Sequence, residues 1–185
     1  LMALSNLGTR SQTEVGALVE DVIESLTVGA EWNPRVTLKK ELGRDLRVMG
    51  DPAELRQVLW NLMINAIQSM SEGGTLSVTA CPDGDNGEAC AVRVEIGDTG
   101  SGIDTAQLEK IWEPFYTTKE RGSGLGLAIV RRIVESHGGA VSVQSDASRG
   151  ARFRVKLPRL EPDAGAVARD VAQPERQDAA AGAAR

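Results

Sequence analysis

The chain is poor in the side chains that most often carry metal or redox chemistry. It has one histidine, His137, and two cysteines, Cys81 and Cys90. The histidine lies far along the sequence from the cysteine pair, which argues against a shared metal site. Without a secretory signal, the cysteines read as free thiols of a reducing cytoplasm, flanking a PDGDNGE loop across which they could approach each other. A basic excess is also missing. With 21 Lys+Arg against 26 Asp+Glu, the net charge is -5 and the pI about 5.0, so no nucleic-acid partner is expected. No apolar run approaches the roughly 18 residues of a membrane span, so no membrane contact by this piece is expected either. Position 1 is Leu, and the 185 residues read as one domain cut from something longer.

What is present centres on the stretch Asp51 to Met70, DPAELRQVLWNLMINAIQSM. Asp51 is a good N-cap, Pro52 suits the first helical position, and Glu54 is placed to complete a capping box. Leu55, Val58, Leu59, Leu62, Ala66 and Met70 recur at helical spacing, and Trp60, Met63, Ile64 and Ile67 extend the apolar surface to a flank. The remainder is a narrow polar strip of Glu54, Gln57, Asn61, Asn65 and Gln68. The spacing predicts a helix buried on most sides, with that strip facing something wet. Buried amides without partners cost about 1–3 kcal/mol. Backbone-bonded structural asparagines and a ligand-facing pair are equally open at this point.

Around this helix the pattern predicts an upstream helix remnant in residues 1–12 and an amphipathic helix from Thr13 to about Trp32, stopped by Asn33-Pro34. Short strands follow at Arg35 to Leu42 and Leu46 to Met49. A hairpin pairs Thr75 to Ala80 with Ala91 to Gly97, and a short helix spans about Asp104 to Lys110. A loop runs from Trp112 to Ser123, then a helix from Leu125 to Ser136 ending at His137-Gly138-Gly139. Strands Ala140 to Gln144 and Ala151 to Leu157 close the domain, assigned to 13–158. The tail at 159–185 turns to Ala, Asp, Arg, Pro and Gly and is expected to be disordered. Paired strands with helices between them indicate an α+β two-layer sandwich, a mixed, mostly antiparallel sheet with helices on one face.

Three glycine-bearing stretches could converge on the polar strip. Asp98-Thr99-Gly100-Ser101-Gly102 follows a strand, where a carboxylate can accept from an exocyclic amine such as that of adenine and glycines let backbone approach a flat ring. A plain Asp turn reads the same way. Gly122-Ser123-Gly124-Leu125-Gly126 opens a helix, offering unpaired N–H groups to phosphate, though a hinge has the same composition. It is neither a dinucleotide fingerprint nor a P-loop. Between them Trp112-Glu113-Pro114-Phe115-Tyr116 supplies aromatic anchors before Thr117, Thr118, Lys119 and Arg121, as a lid over a triphosphate or as a solvated loop. His137, at a helix end, reads as structural.

In this order, Asn61/Asn65, DTGSG, WEPFYTTK, GSGLGLAIV and HGG with a closing strand pair resemble the ATP-binding catalytic domain of two-component sensor histidine kinases. That family belongs to the ATPase superfamily shared with gyrase, mismatch-repair ATPases and a heat-shock chaperone, with the Bergerat fold. The likeness spans roughly Glu14 to Pro158 and is greatest to the nitrogen-regulation type. It implies that Asn65 gives an amide oxygen to Mg²⁺ with Asn61 one turn earlier, and that these two are the catalytic pair. It also implies that Asp98 holds the adenine amine between Gly100 and Gly102. Thr118 and Lys119 would belong to a short lid, and Gly122, Ser123, Gly124, Leu125 and Gly126 would wrap the phosphates. Cofactors ATP and Mg²⁺ follow, with a cytoplasmic location, free or as the cytoplasmic part of a membrane-bound sensor. The partners implied are a histidine-bearing dimerisation domain in cis and a downstream response regulator. Hydrolytic relatives carry Glu where this chain has Asn61, so water attack should be slow and transfer to a protein favoured. Trp112 stands where the aromatic box usually has Phe, and should preserve anchoring. A regulatory nucleotide-binding module without transfer is the alternative. A serine kinase of the anti-sigma type or a chaperone-like ATPase is disfavoured by Asn61.

Overall fold

In the computed structural model, which describes residues 10–84, 90–119, 122–147 and 149–160, five strands and three helices form two layers. The main sheet runs in the order β2 (Val36–Leu42), β4 (Gly74–Asp83), β5 (Ala91–Gly97), β7 (Ala151–Pro158), β6 (Ala140–Ser145). Only β2 is parallel to its neighbour; every other pairing is antiparallel, from Ser77↔Gly97 through Asp83↔Ala91 to Ser145↔Ala151. The expected sandwich with a mixed, mostly antiparallel sheet is what forms.

Alternation along the strands decides which face is covered. Leu76, Val78, Ala80, Val92, Val94, Ile96, Phe153, Val155 and Leu157 are buried, while Arg152, Lys156 and Lys39 on the intervening positions are exposed. The three helices α1 (Val15–Thr27), α2 (Pro52–Gln68) and α3 (Gly126–Ser136) cover the apolar face. The outer face carries ion pairs instead: Glu95 with Arg152 and Arg154, and Asp83 with Arg93 and Lys156.

At the start of α2, Asp51 Oδ1 accepts from the N–H groups of Ala53 at 2.8 Å and Glu54 at 3.4 Å. The reciprocal half of the expected capping box does not form. The Asp51 N–H donates instead to His137 Nε2 at 3.1 Å, while His137 Nδ1 lies 2.8 Å from the Ile133 carbonyl. The buried imidazole thus ties the end of α3 to the beginning of α2, which is the structural part foreseen for it.

Near the amino end the structure departs from the periodicity. Residues 1–9 lie outside the described residues, but Ser11–Glu14, divided above between a helix remnant and the next helix, form a strand, β1. It pairs antiparallel with β3 (Arg47–Gly50) in a second, two-stranded sheet. Glu14 then caps α1, accepting from the Ala17 N–H at 2.6 Å, and α1 ends at Thr27, short of Trp32. The expected helix around Asp104 to Lys110 is two single 3₁₀ turns, Thr105–Gln107 and Lys110–Trp112. Residues 85–89 and 161–185, hence the hairpin loop and most of the presumed tail, are outside the described residues. Arg159 and Leu160 extend the ordered chain past Pro158. Their N–H groups donate to the carbonyls of Cys90 and Arg47, linking the two sheets.

Candidate functional site

The site is assembled at the carboxyl end of α2, where β5 delivers its terminal loop. Asn61, Asn65 and Gln68 lie on one strip because three- and four-residue spacing returns to the same helix face. One residue further, Ser69 Oγ donates to Asp98 Oδ1 at 2.9 Å. The same oxygen accepts from the N–H groups of Gly100 at 2.8 Å and Ala151 at 3.3 Å. Asp98 Oδ2 receives no hydrogen bond among the described residues, so one carboxylate oxygen is held and the other remains an acceptor. The loop is pinned again where Ser101 N–H donates to the Ser69 carbonyl at 3.2 Å and Thr75 N–H to Thr99 Oγ1 at 2.9 Å.

Gly100 is glycine for a packing reason. A Cβ there would lie 2.2 Å from Ser69 Oγ and 2.5 Å from the Ser69 carbonyl oxygen. Its absence lets backbone lie directly on the end of α2.

From the other side comes the start of α3. Asn61 Nδ2 donates to the Gly126 carbonyl at 3.4 Å, and the Cβ position of Gly126 is 3.9 Å from Asn65 Nδ2. The glycine helix start therefore faces both asparagines. Gly124, with φ +68°, interlocks with Phe115, itself at φ +67°. The Phe115 N–H donates to the Gly124 carbonyl at 2.9 Å, and a Cβ on Gly124 would meet the Phe115 carbonyl carbon at 2.4 Å. Of the expected aromatic anchors, Trp112 packs edge-on against Phe153 with centroids 6.0 Å apart, and Tyr116 is half-buried against the core. Phe115 is not an anchor: it is 75% exposed, because its left-handed backbone turns it outward.

Lys119 closes the arrangement. Its ammonium donates to Asn65 Oδ1 at 3.1 Å and Gln68 Oε1 at 2.8 Å. The residue as a whole is exposed, but desolvation of the ammonium pushes its pKa below the ordinary lysine value, opposed by the charge of Asp98. Asn65, Asp98, Lys119 and Gly126 thus come together. Gly102, at φ +70°, belongs to the same pinned loop. Thr118, Gly122 and Ser123 are exposed and make no hydrogen bond to Asn65 or Asp98, and Leu125 stands at the cap of α3. Glu120 and Arg121 lie outside the described residues. Two groups escaped sequence reasoning. Ser69 looks like an ordinary helix-end serine until its contact with Asp98 is seen, and Gln68, already on the polar strip, holds Lys119.

An open cleft of about 450 Å³ lies elsewhere, on the outer face of the sheet, lined by Ser77, Gly97, Gln144, Arg149 and Arg152 with Asp98 at its edge. Thr99 and Ala151 line it as well, so it adjoins the site at Asp98, but none of Asn61, Asn65 or Lys119 borders it.

A two-layer sandwich whose helix strip, strand-end carboxylate and glycine helix start converge defines a nucleotide-binding domain of the ATPase type. Residues 50–161 match the histidine kinase-, DNA gyrase B- and HSP90-like ATPase family, and the chain belongs to it. It is 47% identical over 111 residues to the sensor histidine kinase ZraS of Escherichia coli O157:H7, covering 60% of this chain and 23% of that protein. To the sensor protein FixL of Bradyrhizobium diazoefficiens it is 39% identical over 150 residues, covering 80% and 28%. The chain therefore spans about a quarter of the length of these curated relatives. Among solved structures, the nucleotide-free catalytic domain of histidine kinase ThkA superposes with a TM-score of 0.70 at 30% identity, covering 81% of this chain and 95% of that one. Full-length ShkA in complex with AMPPNP gives 0.71 at 29% identity, covering 88% and 33%.

Proposed function

We propose that this domain binds Mg-ATP and transfers its γ-phosphoryl group to a histidine on a separate dimerisation domain of a sensor histidine kinase, for relay to a response regulator. The observation that carries the reading is the convergence at the end of α2 of Asn65, Asp98 and the Gly126 helix start. In this reading Asp98 Oδ2 accepts from the adenine amine, and the backbone of Gly100 and Gly102 flanks the ring, with Gly100 seated on the end of α2. The N–H groups of Ser123, Gly124 and Gly126 donate to phosphate oxygens, with Thr118, Lys119, Leu125 and Gly122 beside them, the Gly122 N–H being held by the Lys119 carbonyl.

The donor set suits magnesium. No cluster of three or more His, Cys, Asp or Glu able to hold a metal occurs among the described residues. Yet Asn65 Oδ1 already carries a cation, the Lys119 ammonium. One amide oxygen completed by phosphates and water is a magnesium pattern, and the ion would supply charge neutralisation. The protein's part is placement: Ser69 holds Asp98, Asn61 holds the start of α3, and Asn65 faces the phosphates. The terminal P–O bond breaks with its electron pair leaving on ADP, and a P–N bond forms on the acceptor imidazole.

His137 is unsuited as acceptor, because both ring nitrogens are engaged inside the fold. Asn61 offers no general base for water. The short stretch between the aromatic box and Gly124 supports the nitrogen-regulation type. No helix among the described residues is long and apolar enough to cross a membrane; a cytoplasmic site of action and residues 13–158 as the catalytic domain are part of the proposal.

The test is to incubate the chain with γ-labelled ATP alone and with a dimerisation domain from a related kinase. Label should appear on the added domain and none on His137. Stable phosphohistidine at His137, or hydrolysis at ATPase rates without transfer, would overturn the assignment.

A further inference from the structure

Lys119 and Gln68 form a pair whose geometry says more than phosphate recruitment requires. Asn65 and Gln68 lie on one face of α2, and the Lys119 ammonium reaches both amide oxygens, at 3.1 and 2.8 Å. Gln68 is exposed, contributes nothing to the core, and has this as its one side-chain hydrogen bond among the described residues. An ammonium has three donors and no acceptor, so its position follows the oxygens that surround it. Here those oxygens include the one read above as the metal ligand.

We propose that Lys119 acts as an internal cation on Asn65, competing with the divalent ion for one amide oxygen, and that Gln68 is the positioning residue that sets the strength of this competition. The inference rests on the reading of Asn65 as the metal-facing amide. A metal at Asn65 Oδ1 would stand next to the ammonium, and two cations at that separation repel strongly in a partly desolvated site. Lys119 must therefore leave Asn65 when the metal arrives. A nucleotide with a terminal phosphate offers the departing ammonium a new anionic acceptor, whereas a shorter one offers less. The pair thereby makes metal coupling depend on the number of phosphates, so the domain discriminates the triphosphate from the diphosphate.

The measurement is the affinity of the whole chain for ADP and for ATP by calorimetry, each with Mg²⁺ and with chelator. The ratio of the two dissociation constants for one nucleotide is its metal coupling, and it divides out any change in metal-free affinity. Lys119→Met should raise the coupling for ADP about 5-fold or more, and Gln68→Leu about 3-fold, within the range of site–site couplings. In the wild type, coupling should be larger for ATP than for ADP, and the Lys119→Met change should shrink that difference. Adding Asn65→Ala should erase the effect of both substitutions. Both side chains are exposed, and thermal melts would confirm that the variants fold. In parallel, Lys119→Met should shift the side-chain amide resonance of Gln68. Couplings that fall or stay within about 2-fold of wild type in both variants would overturn the competition. Absence of ADP binding to the wild type even with Mg²⁺ would overturn the nucleotide reading itself, and the inference with it.

Discussion

The loop after β5 and the segment from Trp112 to Gly124 both carry glycines and both border the α2 strip, yet they are held in different ways. The first is fixed from three sides. Ser69, Gly100 and Ala151 converge on one oxygen of Asp98, and Thr99 accepts from the β4 backbone. The second is organised mainly by itself. Phe115 and Gly124 clasp each other, Thr117 turns onto Lys119, and among the described residues the links to the rest of the molecule include Trp112, Tyr116 and the Lys119 ammonium. Segments with few buried contacts open at low free-energy cost. The Asp98 loop is built into the fold; the segment that carries Lys119 is laid over it.

That contrast can be broken most severely at Asp98. Asp98→Ala removes the free acceptor oxygen and takes the acceptor from the N–H groups of Gly100 and Ala151, while Ser69 Oγ keeps the Ala66 carbonyl. Nucleotide affinity should fall by a factor of about 100 or more, with stability lowered by about 1–3 kcal/mol. Calorimetric titration beside a denaturant melt separates the two effects. Asp98→Asn should recover much of the stability and little of the binding.

The glycines sharpen the comparison. Gly100→Ala forces a Cβ into Ser69 and should lower the melting temperature by roughly 5 °C or more, since α2 anchors the core. Gly124→Ala is as crowded, against Phe115, and has φ +68° as well. It should nevertheless shift the global melt by no more than about 2 °C while weakening ATP binding, because the strain stays in the overlaid segment. Equal losses of stability in the two variants would show that the regions are not separately held.

The smallest effect belongs to the outer face. A hydrogen bond from Lys156 holds the Asp83 carboxyl below its usual value, at 2.6 Å. A depressed folded-state pKa contributes stability above the unfolded carboxylate range, and that contribution disappears as pH falls through the folded value. Lys156→Met should therefore cost under about 1 kcal/mol at neutral pH and nothing once Asp83 is protonated in both states. Nucleotide binding should not change, since the pair lies at the far end of β5 from Asp98.

Much of this was legible from the chain alone. The face of α2, its Asp51 cap, the strand alternation and the order of the glycine stretches are local or periodic properties. Neighbouring residues determine them, so they can be read one window at a time. β1 could not be read that way. Ser11 to Glu14 have no apolar alternation and are a strand only because β3 offers an edge, with Thr13 buried against it. The capping box failed for a related reason: an imidazole 86 positions away outcompetes Glu54 for the Asp51 N–H.

The sequence by itself determined the helix strip, the strand-end carboxylate and the glycine helix start, and their order was enough to place the family. Tertiary structure alone decided that Asp98 offers one oxygen and not two, that Phe115 faces solvent, and that Lys119 rests on Asn65 and Gln68. The second depends on the clasp of Phe115 with Gly124, and the first and third on contacts between segments remote in the chain. Such contacts are set by how whole layers pack, which no local pattern encodes.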